Sequence, residues 1–289
     1  MRRPSEIEVE VHAMEALTEI TSVFEGIASM RIAQIKTQVQ QATLFFNELW
    51  EIYSQIRVDT SFGFGRSQKK DEIIKKDLYV IITAEGGFSG DIDQKLIQLM
   101  VQTYKPEQHD ILVIGHHGAI QLAQRNIRFK KYFKLPSKDQ KINVGPIIRE
   151  VQQYNTTTVF YQEYISLMVQ DVRKIELSAA VNNEGMGIGA KGDSKDYISL
   201  ENCIFEPSSY DVVDHLEATM MRIALSQLIL DSKLAQYASR FRAMSASHER
   251  AEEGVGDLKM SYNRSRRAIK DARLKEIING MKKAQGAQA

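Results

Sequence analysis

A few stretches of the chain carry side chains of the kind that do chemistry. Glu85-Gly86-Gly87-Phe88-Ser89-Gly90 falls where an apolar run hands over to a helical one, the place of a phosphate-binding turn in a dinucleotide fold. It lacks the full glycine pattern, and Asp91 and Asp93 put negative charge where a pyrophosphate would rest. A tight turn is therefore the stronger reading. A second cluster, Gly185, Gly187, Gly189 and Gly192 within Asn182–Asp193, precedes a strand-like run instead of following one, which reads as a loop. His116-His117 stands without partners at metal-ligand spacing and reads as an exposed turn at a strand end. Cys203, beside Ile204 and Phe205, reads as a small buried hydrophobe, and as the single cysteine it precludes an internal disulfide. No Ser–His–Asp order, Walker loop or paired carboxylates stand out. The sequence points away from catalysis, with no catalytic residue, metal or cofactor expected.

The elements that would position any such site carry a clearer signal. After Pro207 the chain has no proline, and from Ser209 to about Ala284 apolar residues recur in alternating steps of four and three. Leu216, Met220, Ile223, Leu230, Leu234, Tyr237, Phe241, Met244, Ala251, Val255, Leu258 and Tyr262 fall on this spacing, interrupted by Gln227 and His248. That is a heptad seam. A continuous helix there would be roughly 110 Å long at about 1.5 Å per residue, so it needs a partner.

Residues 4–57 supply one. Ile7, Val11, Met14, Ala28, Ile32, Ile35, Val39, Ala42, Phe46, Leu49, Tyr53 and Ile56 share one heptad register, with Thr18, Thr21 and Glu25 as weak members. A second apolar stripe, Ile20, Val23, Ile27 and Met30, runs beside the weak positions and predicts that the buried face shifts near Gly26. Between the helices the period changes. Strands are expected at 78–83, 110–115, 129–133, 157–164, 171–177 and 197–205, with helices at 92–104, 119–125 and 142–154. Strands alternating with helices predict a mostly parallel sheet with antiparallel pairing at its end. The fold class is α/β: a long antiparallel coiled coil of the terminal helices plus a Rossmann-like domain. The expected boundaries are 1–58 for the first helix, 59–76 for a connector, 77–206 for the α/β domain and 207–289 for the last helix.

Charge is balanced over the 289 residues, with a net value of +1, but not along them. From Pro4 to Glu25 there are six Glu and no Lys or Arg, whereas Lys259 to Lys283 holds nine Lys or Arg. Antiparallel pairing would bring the acidic start toward the basic end, a better account than a nucleic-acid arm. No apolar run reaches the ~18 residues needed to span a bilayer, and the early acidic residues argue against a signal peptide. The protein is expected to be cytosolic and at most peripheral to a membrane.

Several stretches together resemble the gamma subunit of F-type ATP synthases, the central rotor shaft. They are Ile20-Thr21 with Ala28 to Arg31, Ile81-Ile82-Thr83-Ala84-Glu85-Gly86-Gly87-Phe88-Ser89-Gly90, Phe205-Glu206-Pro207-Ser208, Arg242-Ala243-Met244 and Tyr262-Asn263-Arg264-Ser265-Arg266. The resemblance covers essentially the whole chain. It implies a non-catalytic shaft that couples ion flow to ATP synthesis or hydrolysis. The implied partners are an alpha/beta-type nucleotide-binding hexamer, an epsilon-like subunit and a membrane rotor ring, with no nucleic acid. The implied location is peripheral, on the cytoplasmic side of a membrane.

Residues implied to meet the hexamer are Phe24, Glu85, Gly87, Met244, Tyr262, Asn263, Arg266 and Arg267. The chain departs from the family at Ser22 and Glu25, where lysines are usual, at Gly86, where a basic residue is usual, and at Asp271-Ala272-Arg273. A paralogous shaft of a divergent rotary ATPase is the nearest alternative reading. A cofactor-binding α/β enzyme with coiled-coil arms and a non-rotating coiled-coil adaptor are the readings from other classes.

Overall fold

The computed structural model describes residues 2–56, 74–135, 142–154, 156–178, 180–181, 206 and 209–286. The expected strand at 197–205 with Cys203, the glycine-rich loop and nearly all of the connector lie outside them. Two compact units are present, Met1–Ile27 with Phe241–Ala289, and Ala28–Arg240. Two helices contribute to both: α1, Pro4–Ile56, of 53 residues, and α5, Ser209–Gly286, of 78 residues. Pro4 opens α1, where its missing N–H costs no helical hydrogen bond.

In the first unit the start of α1 runs antiparallel to the end of α5. Ser265 Oγ donates to the carbonyl of Arg2 at 2.9 Å, Lys259 Nζ meets Glu15 Oε1 at 2.7 Å, and His248 Nδ1 lies 3.1 Å from the carbonyl of Thr18. As the α1 position rises, its α5 partner falls. Ile7, Val11 and Thr21 are buried from one side, Met244, Ala251 and Ser265 from the other. Gly254 lets the helices come close, because a Cβ there would lie 3.3 Å from Met14 Cε.

The second unit holds a five-stranded sheet ordered β3-β2-β1-β4-β5. In chain order it contains β1 (Asp77–Ile82), α2 (Ile92–Thr103), β2 (His109–Ile114), α3 (His116–Gln124), β3 (Lys131–Phe133), α4 (Gly145–Val151), β4 (Thr157–Tyr164) and β5 (Gln170–Glu176). The first four strands pair in parallel and β5 closes the edge antiparallel to β4. In β1 both alternating sets are apolar, as a strand covered on two faces requires. Leu78, Val80 and Ile82 face a core with Ile147 and Ile148 of α4, Phe46, Trp50 and Tyr53 of α1, and Met220 to Ile229 of α5. Tyr79 and Ile81 face a second core with Leu96, Ile97 and Met100 of α2 and Leu122 of α3. Along the helices Ile35 packs with Leu230 and Leu234.

Three sequence expectations need correction. Ile20, Val23, Ile27 and Met30 are all exposed, so the buried face does not shift to them. It keeps its heptad through Thr21, whose hydroxyl bonds back to the carbonyls of Leu17 and Thr18, both at 2.9 Å, so a polar residue sits in the seam without an unmet donor. His116-His117 is not a turn after β2 but the start of α3. Finally, α4 is shorter than 142–154, beginning only at Gly145-Pro146.

Candidate functional site

No group of His, Cys, Asp or Glu arranged to hold a metal occurs among the described residues, and no described helix is long and apolar enough to cross a membrane.

Of the seam residues on α5, Met220, Leu230, Leu234 and Met244 are buried, while Leu216, Ile223, Tyr237, Phe241, Val255 and Leu258 are half-buried. Both interruptions are matched by threonines of α1. In the second unit Gln227, 4% exposed, donates to Thr43 Oγ1 at 3.2 Å. In the first unit His248 Nδ1 donates to the carbonyl of Thr18 and lies 3.5 Å from Thr21 Oγ1. The Gln227 amide N–H and His248 Nδ1 thus find these acceptors only when the helices are in this register, a known use of buried polar groups in coiled coils. The acidic start also meets the basic end. The hydrogen bond from Lys259 holds the carboxyl of Glu15 below the usual carboxylate range.

The expected contact residues lie in different surroundings. In the first unit Phe24 and Tyr262 are half-buried, Met244 is buried, and Asn263, Arg266 and Arg267 are exposed. In the second unit Glu85 is half-buried and its carboxylate accepts the backbone N–H of Leu135 and, at 3.5 Å, the hydroxyl of Tyr132. Burial, then the nearby Glu85 charge, raises the Tyr132 pKa. Gly87 is exposed, and its carbonyl accepts Arg240 Nε at 3.1 Å while Gly86 accepts Nη2 at 3.3 Å. Phe88 between these groups and Gly90 has φ of 67° and is 63% exposed. The glycine turn therefore turns carbonyls to a cation of α5.

Ser265 is the last buried residue among those described on α5, and beyond it Arg266, Arg267, Lys270, Arg273 and Lys275 are exposed. After Arg273 begins an apolar stripe, Leu274, Ile277, Ile278 and Met281, between 41% and 60% exposed. The heptad reading stopped at Tyr262 and missed it. The signal was its own spacing of three, four and seven residues, which places four side chains on one helical face. The end of α5 thus carries an exposed basic run followed by an unpacked apolar stripe.

A pair of terminal helices together with a doubly wound sheet defines a mixed α/β protein. A sequence model described as ATP synthase matches residues 4–283, and the chain belongs to that family. It is similar to the ATP synthase gamma chain of Chlorobium phaeobacteroides, 25% identical over 97% of this chain and 98% of the relative. It is also similar to the ATP synthase gamma chain of Cytophaga hutchinsonii, 20% identical over 95% and 96%. Among solved structures, a chain of the Euglena gracilis mitochondrial ATP synthase, in a structure of OSCP, F1 and c-ring, superposes with a TM-score of 0.65 at 15% identity, covering 99% of this chain and 96% of that one. A chain of the Tetrahymena thermophila mitochondrial ATP synthase central stalk and c-ring superposes with a TM-score of 0.54 at 17% identity, over 78% and 98%.

Proposed function

We propose that this chain is the central-stalk rotor subunit of a rotary F-type ATP synthase or ATPase, coupling transmembrane ion flow to ATP synthesis or hydrolysis without itself being catalytic. The observation that carries this reading is the full-length match to gamma chains, at 95–97% of this chain, on a fold that is a helix pair with a sheet. A shaft changes the state of a surrounding hexamer only by making different contacts with its different conformations. That requires exposed surface for the hexamer to read. The end of α5 has it, with exposed Arg266, Arg267, Lys270 and Arg273 followed along the helix by an exposed apolar stripe.

The working division is a first helix at 1–58, a connector at 59–76, an α/β domain at 77–206 and a last helix at 207–289. The helix ends face an alpha/beta-type hexamer, and the α/β domain faces an epsilon-like subunit and a membrane ring on the cytoplasmic side. Phe24, Met244, Tyr262, Asn263, Arg266 and Arg267 are the contacts to the hexamer on the helices, with Glu85 and Gly87 on the sheet-end turn. Arg266 is the residue suited to a catalytic-subunit carboxylate, because its planar fork can engage both oxygens. Cations in a dry apolar sleeve cost free energy unless paired or hydrated, so the sleeve is acidic or wet near these residues.

Arg266→Glu with Arg267→Glu tests the reading in the reconstituted complex. Ion pumping per ATP hydrolysed should fall while the circular dichroism of the isolated chain is unchanged. Equal pumping at low and moderate salt would remove these residues from the coupling contact. A paralogous shaft serving a divergent rotary ATPase is the second reading, favoured by identities of only 20–25% over nearly the full length. Co-purification of the chain from its native membranes, followed by identification of the hexamer subunits, separates the two.

A further inference from the structure

The strand order reverses beside β1, which leads to β2 and β3 on one side and has β4 and β5 on the other. In doubly wound sheets the crevice at the carboxyl ends of such strands is where ligands bind. In this protein, Gln162 of β4 and the carbonyls of the 86–89 turn are engaged by α5 itself. Asp93, at the start of α2, is 0% exposed. Its carboxylate accepts the Ala84 N–H at 3.3 Å, Gln162 Nε2 at 2.7 Å and His117 Nδ1 at 2.8 Å. The oxygen of the fully buried Gln162 side chain accepts the Ser232 hydroxyl and, at 3.3 Å, Gln236 Nε2. One turn on, Ser239 Oγ donates to the carbonyl of Ser89 at 2.7 Å, and Arg240 holds the carbonyls of Gly86 and Gly87.

Ser232, Gln236 and Ser239 form one polar stripe on a helix whose other buried residues from Met220 to Ala238 are apolar except Gln227 and Lys233. Apolar contacts would hold a helix on a sheet equally well, but they are non-directional and tolerate sliding and axial rotation. A fully satisfied buried network does not, because any rotation or slide strands several groups together. Lys95 pairs with Asp91 at 2.9 Å and Glu85 accepts from Leu135 and Tyr132, so neither joins the network.

We infer that the Asp93–Gln162–Ser232–Gln236 network is a rotational lock, fixing the angle and register of α5 on the sheet so that torque in this segment passes into the α/β domain without slip. The torque role rests on the rotor reading above; the lock itself is a property of the chain alone. Asp93 and Gln162 are positioning residues, and Ser232 and Gln236 are the teeth they hold.

The test uses the full-length chain carrying Ser232→Ala with Gln236→Leu, and separately Asp93→Asn. After correction for intrinsic rates, amide hydrogen exchange in 228–240 and 84–93 should speed up by about tenfold or more, with 244–258 unchanged. Ser232→Thr, which keeps the hydroxyl, should exchange like the parent. In Asp93→Asn the pKa of His117, followed by NMR, should fall from its raised value. In the assembled complex the double variant should hydrolyse ATP but pump at least about twofold fewer ions per ATP. Unchanged exchange in both variants overturns the lock. Faster exchange with unchanged pumping overturns its torque role. If the parent chain does not assemble with a catalytic hexamer, the rotor reading and the torque role fall together, and the exchange result still decides the lock.

Discussion

Tyr53 and Glu217 are 164 residues apart in sequence, yet the Tyr53 hydroxyl donates to Glu217 Oε1 at 2.9 Å, with the two residues only 1% and 6% exposed. A carboxylate this far inside needs its donors. The bond joins α1 to α5 where both also pack against the sheet core. Tyr53→Phe keeps the ring and removes one donor, which should cost about 1–3 kcal/mol. Urea denaturation of the full chain reads this directly, and an unchanged midpoint would show that water or another group replaces the hydroxyl without loss.

Leu234 lies in the seam at 5% exposure, packed with Ile35 and Leu230. Leu234→Ala should lose about 2–5 kcal/mol, and Leu234→Asp more, because a charge is then buried without a partner. Phe241, only half-buried, should tolerate the change to Asp better than Leu234 does. Thermal melts of the three variants give the order. If Leu234→Asp melts like the parent, the helices are not held through this register.

Ile20 and Val23 are 53% and 60% exposed, on the side of α1 away from its buried heptad. Replacing both with Ser should move the stability of the isolated chain by no more than about 0.5 kcal/mol per site. A loss of several degrees in melting temperature would mean that this stripe is packed in solution.

His117 has its pKa raised by its hydrogen bond to Asp93, with burial opposing. A raised histidine binds its proton more tightly in the folded chain. Its contribution to stability is therefore complete below the unfolded value near 6.5 and is lost as the pH climbs through the folded value. The difference in melting temperature between the parent and His117→Gln should be largest near pH 5.5 and shrink toward pH 8.5. Glu15 behaves in the opposite sense. Its lowered pKa gives a contribution present above the ordinary carboxylate range and lost as the pH falls, so acid should loosen its pairing with Lys259. A difference that grows with pH for His117→Gln would reverse the assignment.

Sequence alone determined most of the elements and, apart from the stripe at 20–30, their buried faces. Heptad spacing marked Ile35, Phe46, Leu230 and Leu234 as core, and the apolar run 78–82 marked a doubly covered strand, because periodicity is local and each helix or strand repeats it without reference to the rest of the chain. The glycine turn was legible as a turn for the same reason. Only the tertiary structure decided which polar residues are inside. Thr21 reads as a weak seam position, and becomes a good one only because its hydroxyl bonds to its own helix. Asp93 reads as a surface residue that would repel a phosphate; it is buried because His117, Gln162 and the Ala84 amide converge on it from three other segments. Ser232 and Gln236 look like the solvent side of a helix until β4 places Gln162 against them. Burying a polar group is favourable only when partners distant in sequence arrive in the right geometry, and no local pattern encodes that meeting.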